Sequence, residues 1–243
     1  METLTIHRAG QGPAVMLVHG GAGPTTTWRG LESLAARWTL LYVYRRGFGA
    51  GPLPPHGHQD FEVDADDLEV LCKEYRPHVV AHSYGVLGTL LATARVPECV
   101  RSLTLIEPPL YFLAPDDPDV ARLQQVGDAV LTEGLATDPA ILREFLTLSG
   151  APAAGPGGAS EAAVRRALGG RLPGEARPDL KIVRAAGIPA LVASGGHHPA
   201  LERICDRLAA ELAAQRLLAR GAGHFVPAAP GFAAALEEFL GTR

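Results

Sequence analysis

The sequence lacks a long hydrophobic run, a cysteine pattern and an excess of positive charge. No stretch of about 18 uncharged apolar residues occurs, and the N-terminus is charged, so we expect a cytoplasmic protein without membrane contact. The net charge of -4 provides no basic surface for a nucleic acid. The cysteines Cys72, Cys99 and Cys205 match no metal or haem spacing, so we expect them to bind no metal and to be buried or bystander thiols.

Length and composition indicate one sizeable domain. The chain has 243 residues, of which 47% are hydrophobic, and α/β chains of this length commonly form one domain with an insertion. The composition is rich in arginine and alanine and poor in lysine, which is typical of a GC-rich, bacterial genome. We expect a small-molecule substrate as the partner, and a homodimer is left open.

Short apolar segments alternate with helical patterns along most of the chain. Strands are predicted near residues 2–7, 13–18, 38–44, 77–81, 100–106, 188–194 and 215–219. Helices are predicted at 27–36, 61–75, 84–95, 199–213 and 230–240. Continuously apolar strands such as Ser102 to Ile106 indicate burial on both faces. The sequence therefore predicts the α/β class, with a mostly parallel sheet flanked by helices.

The alternation fails between residues 108 and 178, where the pattern becomes helical without strands. Asp117 and Asp138 each precede a proline, which is typical of a helix N-cap followed by the first helical residue. We predict a helical lid at 108–178, inserted into a core formed by 1–107 and 179–243.

The stretch Gly150 to Ser160 consists almost entirely of glycine, alanine and proline. It has few side chains with which to pack, so we expect it to move. Two interpretations stay open: a hinge that gates the site, or a tolerated linker between two helices.

A strand is predicted to turn sharply into a helix at Ser83. The segment reads Val79 to Gly85, with an apolar helical run after it. Such a turn places the Ser83 hydroxyl at the positive N-terminus of a helix and directs the backbone N–H of Tyr84 to the same point. Ser83 is therefore a candidate nucleophile, although Ala81 stands where the usual motif has glycine.

Two further segments stand where a serine nucleophile needs an oxyanion donor and a general base. The glycine-rich loop His19 to Gly23 follows the second predicted strand, and small residues there allow backbone N–H groups to approach a ligand, which makes Gly21 a candidate oxyanion donor. His224 lies far downstream, between a short strand and the last helix. A loop histidine that follows the nucleophile in the chain is a candidate general base.

These segments together resemble the α/β-hydrolase fold family of serine hydrolases over essentially the whole chain. The matching segments are His19 to Gly23, Tyr44 to Gly49, the Ser83 turn and Gly223 to Phe225. The resemblance implies a catalytic triad, an oxyanion hole and no cofactor. The loop after the third predicted strand departs from the family pattern, because Tyr44 replaces a frequent aspartate and Gly51 a serine.

The third member of the implied triad has no carboxylate at its usual position. In the family the acid usually follows the strand before the final one, but here Ser194 to Pro199 reads Ser-Gly-Gly-His-His-Pro. We predict Glu107 as the replacement, because some haloalkane dehalogenases and lipases of the family carry their acid at the end of that strand. The alternative is that Glu107 serves only the conformation of its loop.

Other candidate residues are assigned by position. Trp28, His198 and Tyr111 are candidate substrate contacts, and His198 is equally suited to capping the helix that Pro199 opens. The remaining histidines considered are assigned structural or solvated positions: His7, His56, His58, His78 and His197.

Three hypotheses about function remain open. The first is a serine hydrolase that cleaves an ester or related acyl bond through an acyl-enzyme, within the class of carboxylic ester hydrolases. The second uses the same residues for thioester cleavage, lactone opening, C–C bond hydrolysis or a lyase reaction. The third is a ligand-binding protein with low turnover, which stays open because the acid is missing from its usual position.

Overall fold

The computed structural model describes residues 2–49, 51–150 and 159–242. Residues 151–158, which make up most of the predicted mobile segment from Gly150 to Ser160, lie outside the described residues.

Seven strands form one sheet in the order β1-β3-β2-β4-β5-β6-β7. β1 pairs with β3 antiparallel, and every other neighbouring pair is parallel. The strands are β1 Thr5–Ala9, β2 Ala14–Val18, β3 Thr39–Tyr44, β4 His78–His82, β5 Ser102–Ile106, β6 Ala190–Ser194 and β7 Gln215–Leu218. All seven predicted strands and the predicted α/β class are confirmed.

Helices cover both faces of the sheet. Those of the described residues are α1 Pro24–Thr27, α2 Phe61–Tyr75, α3 Gly85–Arg95, α4 Pro118–Glu133, α5 Pro139–Leu148, α6 Ala159–Ala167, α7 Leu180–Ala185, α8 Pro199–Leu212 and α9 Phe232–Gly241. Short 3-10 turns occur between them. Across the described ranges, no helix combines the length and the apolar character needed to cross a bilayer.

The strands separate two hydrophobic layers because successive side chains point to opposite faces. Met16 and Val18 of β2 pack into the cluster that contains α2, α3 and α8. Val15 and Leu17 of the same strand pack into the cluster on the other face, with α9. Burial of both faces explains why the central strands are continuously apolar, and it holds their carboxyl ends in fixed positions.

The single helix predicted for residues 27–36 is wrong. Helix α1 ends at Thr27, and a separate 3-10 turn runs over Glu32–Ala36. Gly30 interrupts them with a φ of 98°, and a Cβ at this position would lie 2.7 Å from the carbonyl oxygen of Pro227. The apolar spacing of this stretch comes from packing of two turns onto the sheet, and the close approach at Gly30 prevents a continuous helix.

The segment between β5 and β6 contains α4, α5 and α6, and we call residues 108–178 the helical insertion. The Asp117 side chain caps α4, and that of Asp138 caps α5, which confirms both predicted caps. One residue from each helix forms a small hydrophobic cluster of Val130, Leu146 and Val164. The insertion therefore has an apolar centre of its own beside the main sheet.

Candidate active site

Ser83 lies in a sharp turn between β4 and α3. Its φ is 54°, a left-handed conformation that costs free energy for any residue other than glycine. The Ser83 N–H donates to the carbonyl oxygen of Ile106 at 2.8 Å, and its carbonyl accepts from the N–H of Val86 at 3.0 Å. The ends of β5 and α3 thus hold the strained turn in place, and Ala81 is accommodated as a fully buried residue of β4.

The loop from His19 to Gly23 approaches this turn closely because glycines stand at the contacts. A Cβ at Gly20 would lie 2.8 Å from the Cβ of Ser83. A Cβ at Gly85 would lie 2.5 Å from the carbonyl oxygen of His19. Any side chain at either position would separate the loop from the serine.

The predicted oxyanion donors, Gly21 and Tyr84, lie beside Ser83 on the wall of one cavity. Within the described part of the chain, neither backbone N–H donates a hydrogen bond to another residue. Tyr84 also occupies the N-cap of α3, where the helix dipole favours negative charge. Two unpaired donors at this point are suited to an oxyanion.

Arg45 stabilises the glycine-rich loop from His19 to Gly23 by hydrogen bonds to its backbone. The sequence did not indicate this role. One of the terminal nitrogens of Arg45 donates to the carbonyl oxygens of His19 at 3.3 Å and Gly20 at 3.4 Å. Its charge is balanced by Asp64 at 2.8 Å, and both side chains are buried. Burial and the neighbouring Arg45 cation keep the pKa of His19 well below its usual range. His19 is therefore a neutral structural ring.

Glu107 reaches His224, 117 residues further along the chain. Its Oε2 lies 2.6 Å from Nδ1 of His224, and its Oε1 accepts from the N–H of Gly195 at 2.8 Å. The residue is 1% exposed and has a φ of 47°. This strained conformation at the end of β5 directs the carboxylate toward the loop that carries His224.

The charged form of Glu107 is strongly favoured. Burial alone raises the pKa of this carboxyl, but the contacts with His197 and His224 outweigh burial and hold the pKa well below its usual range. A carboxylate accepts from Nδ1–H, which leaves Nε2 of His224 as the basic nitrogen. That is the tautomer a general base requires.

His82, directly before Ser83, supports the backbone of His224. Its Nε2 donates to the His224 carbonyl oxygen at 2.8 Å, and the two rings lie 4.5 Å apart. Burial, together with the nearby His224, lowers the pKa of His82 to about 3, so the ring is neutral. The sequence had not singled out this residue.

His197, which the sequence assigned to a structural position, contacts the same carboxylate. Its Nδ1 lies 3.3 Å from Oε1 of Glu107, and its Nε2 donates to the carbonyl oxygen of Leu148 at 3.1 Å. No signal within the sequence marks this contact, because 90 residues separate the two side chains. The family pattern predicts an acid, and not a histidine, in the loop that carries His197.

Glu107, His197 and His224 offer ligand atoms within 4.8 Å of one another, which raises the question of a metal ion. Ligand atoms around a tetrahedral zinc ion lie about 3.3 Å apart, since each bond is about 2.0 Å long. The two atoms that join Glu107 and His224 are only 2.6 Å apart. This spacing fits a shared proton better than a shared metal.

One cavity of about 190 Å³ joins Ser83 and His224 to the helical insertion. The predicted contact Tyr111 lies on its wall. Its other apolar lining residues include Leu123, Leu131, Phe145, Leu146, Val164 and Phe225. The reacting end of the cavity is polar, and the remainder is apolar.

Trp28 and His198 lie outside the described lining of this cavity. Trp28 is 2% exposed in the core, where its ring meets the edge of His82. His198 accepts a hydrogen bond from the N–H of Ala200 and caps α8. Neither residue is part of the cavity wall that the described residues form.

We expect Gly195→Ala to separate the loops that hold Glu107 and His224. A Cβ at Gly195 would overlap the carbonyl oxygen of Gly223. The free energy of unfolding should fall by about 1 to 3 kcal/mol, as in other overpacked sites, when measured by urea denaturation. Gly241→Ala, in open space, is the control. Equal stability of the two variants would contradict the close packing of these loops.

Comparison with known proteins places the chain in a family. Residues 15–236 match the sequence model of the Alpha/beta hydrolase family, and the chain therefore belongs to it. It superimposes on an alpha/beta hydrolase from Sphaerobacter thermophilus with a TM-score of 0.68 and 27% identity, over 98% of this chain and 96% of that chain. An esterase from Thermogutta terrifontis shares the fold, with a TM-score of 0.71 and 22% identity over 98% and 93% of the two chains.

Two curated relatives match part of the chain. A 2-(acetamidomethylene)succinate hydrolase of Mesorhizobium japonicum is 31% identical over 109 residues, which cover 43% of this chain and 39% of that protein. A pimeloyl-[acyl-carrier protein] methyl ester esterase of Aeromonas salmonicida is 28% identical over 121 residues, which cover 49% and 47%. The matches span less than half the length of either relative.

Proposed function

We propose that the protein is a serine hydrolase that cleaves an ester or related acyl bond of a small organic substrate. The observation that carries the proposal is the 2.6 Å contact between Glu107 and His224, on the wall of the cavity that contains the strained Ser83. A nucleophile, a base and an acid that orients the base are the minimum for acyl transfer by serine.

The mechanism follows from the protonation states. The Nε2 of His224 removes the proton from Ser83 as Oγ attacks the substrate carbonyl. Glu107 stays ionised and stabilises the imidazolium that forms. His224 then passes its proton to the leaving alcohol. In the second half of the reaction His224 removes a proton from the water that attacks the acyl-enzyme and returns it to Oγ of Ser83 as the acid leaves.

The oxyanion of each tetrahedral intermediate is held by the backbone N–H groups of Gly21 and Tyr84. They form no other hydrogen bond within the described residues, so they are free to donate to the intermediate. Because the loop and the turn are already in close contact, these donors need little rearrangement when charge develops. This arrangement needs no metal or organic cofactor.

The apolar walls favour a substrate whose acyl or alcohol portion is hydrophobic. The helical insertion supplies most of these walls, and its role as a lid is part of the proposal. The esterase of A. salmonicida named above supports an ester as the bond cleaved. Thioesters, lactones and C–C bonds would meet the same reacting groups, and a panel of substrates decides among them.

A binding protein with low turnover is the less favoured alternative. It depended on the absence of an acid at the usual loop, and the position of Glu107 weighs against it. Hydrolysis of p-nitrophenyl esters from acetate to laurate tests the proposal. We expect turnover that depends on acyl length, whereas no hydrolysis of any ester, thioester or lactone by folded protein would contradict it.

Glu107→Gln should lower kcat by at least about 100-fold, because an amide neither stabilises the imidazolium nor fixes the required tautomer. Steady-state kinetics on the best ester measure the effect. Glu211→Gln makes the same chemical change at an exposed position of α8 and serves as the control. A rate near that of the unaltered protein in Glu107→Gln would assign the acid role to another residue.

A further inference from the structure

His197 lies in the loop between β6 and α8, within the segment where the sequence shows histidines in place of the family's usual acid. Its ring is 19% exposed and lies between two structural units. On one side is Glu107 at the end of β5, and on the other is Leu148, the last residue of α5 in the helical insertion. The ring thus connects the proposed acid to the insertion.

Both ring nitrogens of His197 face an oxygen atom, one of Leu148 and one of Glu107. A carbonyl oxygen only accepts, so Nε2 must donate to Leu148. The Nδ1 lies 3.3 Å from Oε1 of Glu107, an ion-pair distance without the alignment of a hydrogen bond, and it has no hydrogen-bond partner within the described residues. A neutral ring that donates from Nε2 would keep its Nδ1 lone pair 3.3 Å from the carboxylate oxygen, and protonation of Nδ1 replaces this repulsion by an attraction between opposite charges.

The charges around the ring agree with a cation. The contact with Glu107 raises the pKa of His197, burial opposes that effect, and Glu202 adds to it. The neighbouring His198 has a pKa lowered by burial and by His197, so it does not compete as a second cation. A further titratable group that faces His197 is His224, whose ring centre lies 6.2 Å away.

We propose that His197 is a positioning residue for the proposed triad, held doubly protonated between Glu107 and Leu148. In this form it fixes the second carboxylate oxygen of Glu107. Its positive charge, on a ring whose centre lies 6.2 Å from that of His224, opposes a second positive charge in the site, so that the site becomes active at lower pH than Glu107 alone would allow. The inference rests on the proposed function, because it assigns His224 as the base.

Two substitutions test the contact with Glu107 and the contact with Leu148 one at a time. His197→Asn keeps an amide near the position of Nδ1, and His197→Gln keeps one near the position of Nε2, but neither carries a charge. The rate constant for modification of Ser83 by a fluorophosphonate, measured against pH, reports the availability of the base. In both variants we expect the acid limb to move up by about half a unit to two pH units.

The two variants differ in the rate constant for modification of Ser83 at the plateau of the pH profile. His197→Asn should retain more of the plateau than His197→Gln, because it still has a donor toward Glu107. A purely structural role would lower the plateau without moving the acid limb. His7→Gln removes an exposed histidine from β1, at the far edge of the sheet, and should change neither quantity. An unmoved acid limb in both His197 variants would overturn the proposal.

Nuclear magnetic resonance of 15N-histidine-labelled protein gives a second result that does not depend on activity. With His197→Gln for assignment, both ring nitrogens of His197 should have the shifts of an imidazolium at neutral pH. A neutral ring protonated only at Nε2 would overturn the proposal. If Ser83 is never modified, the proposed function fails, while this spectrum still decides the charge of His197.

Discussion

Ser83→Ala is expected to abolish hydrolysis, with a loss of about 10⁶-fold in kcat, because no other hydroxyl can replace the attacking oxygen. The turn should persist. Serine already adopts the left-handed conformation with a φ of 54°, and the hydrogen bonds that hold it involve backbone atoms. Alanine changes neither.

Activity and stability must be measured on the same preparation of Ser83→Ala. Hydrolysis of the best ester should fall to the rate of the buffer, while the urea midpoint changes little. Ser33→Ala, at an exposed serine of the turn Glu32–Ala36, is the matched control. Substantial turnover by folded Ser83→Ala would place the nucleophile elsewhere.

His224→Asn should produce the second large loss, approaching that of Ser83→Ala, because the two residues act as a unit. Asparagine keeps an amide near the position of Nδ1, which donates to Glu107 in the unaltered protein, so the buried carboxylate keeps a partner. It has no nitrogen that can take the serine proton. The loss should therefore come from chemistry and not from unfolding.

The kinetic signature of His224→Asn separates the loss of the general base from the loss of the fold. We expect kcat to fall with KM little changed, and addition of free imidazole to restore part of the rate. His7→Gln again provides a histidine control remote from the site. A variant of His224 that keeps ordinary turnover at neutral pH would exclude it as the base.

The sequence predicted the sheet and the Ser83 turn because both depend on local patterns. Each strand is a short apolar run, and a strand that ends in Ser83 with Gly85 after it has few alternatives. Glu107 was predicted as the acid from the resemblance and from the lack of a carboxylate after β6. Its partner His224 could be named but not located, because the contact joins residues 117 positions apart.

Long-range packing accounts for what the sequence missed. The contact of His197 with Glu107 and the hold of Arg45 on the glycine-rich loop exist only after the sheet brings separate loops together. The predicted helix 27–36 failed for the same reason, since Gly30 meets a carbonyl nearly 200 residues downstream. Trp28 was predicted as a substrate contact, but it is buried against His82 and does not line the cavity.

The most direct test of the proposed serine hydrolase is intact-protein mass spectrometry after exposure to a fluorophosphonate, with peptide mapping of the adduct. The account predicts one adduct per chain, located on Ser83 and lost in Ser83→Ala. An adduct on a different residue, or none on protein shown to be folded, would contradict an activated serine at this site.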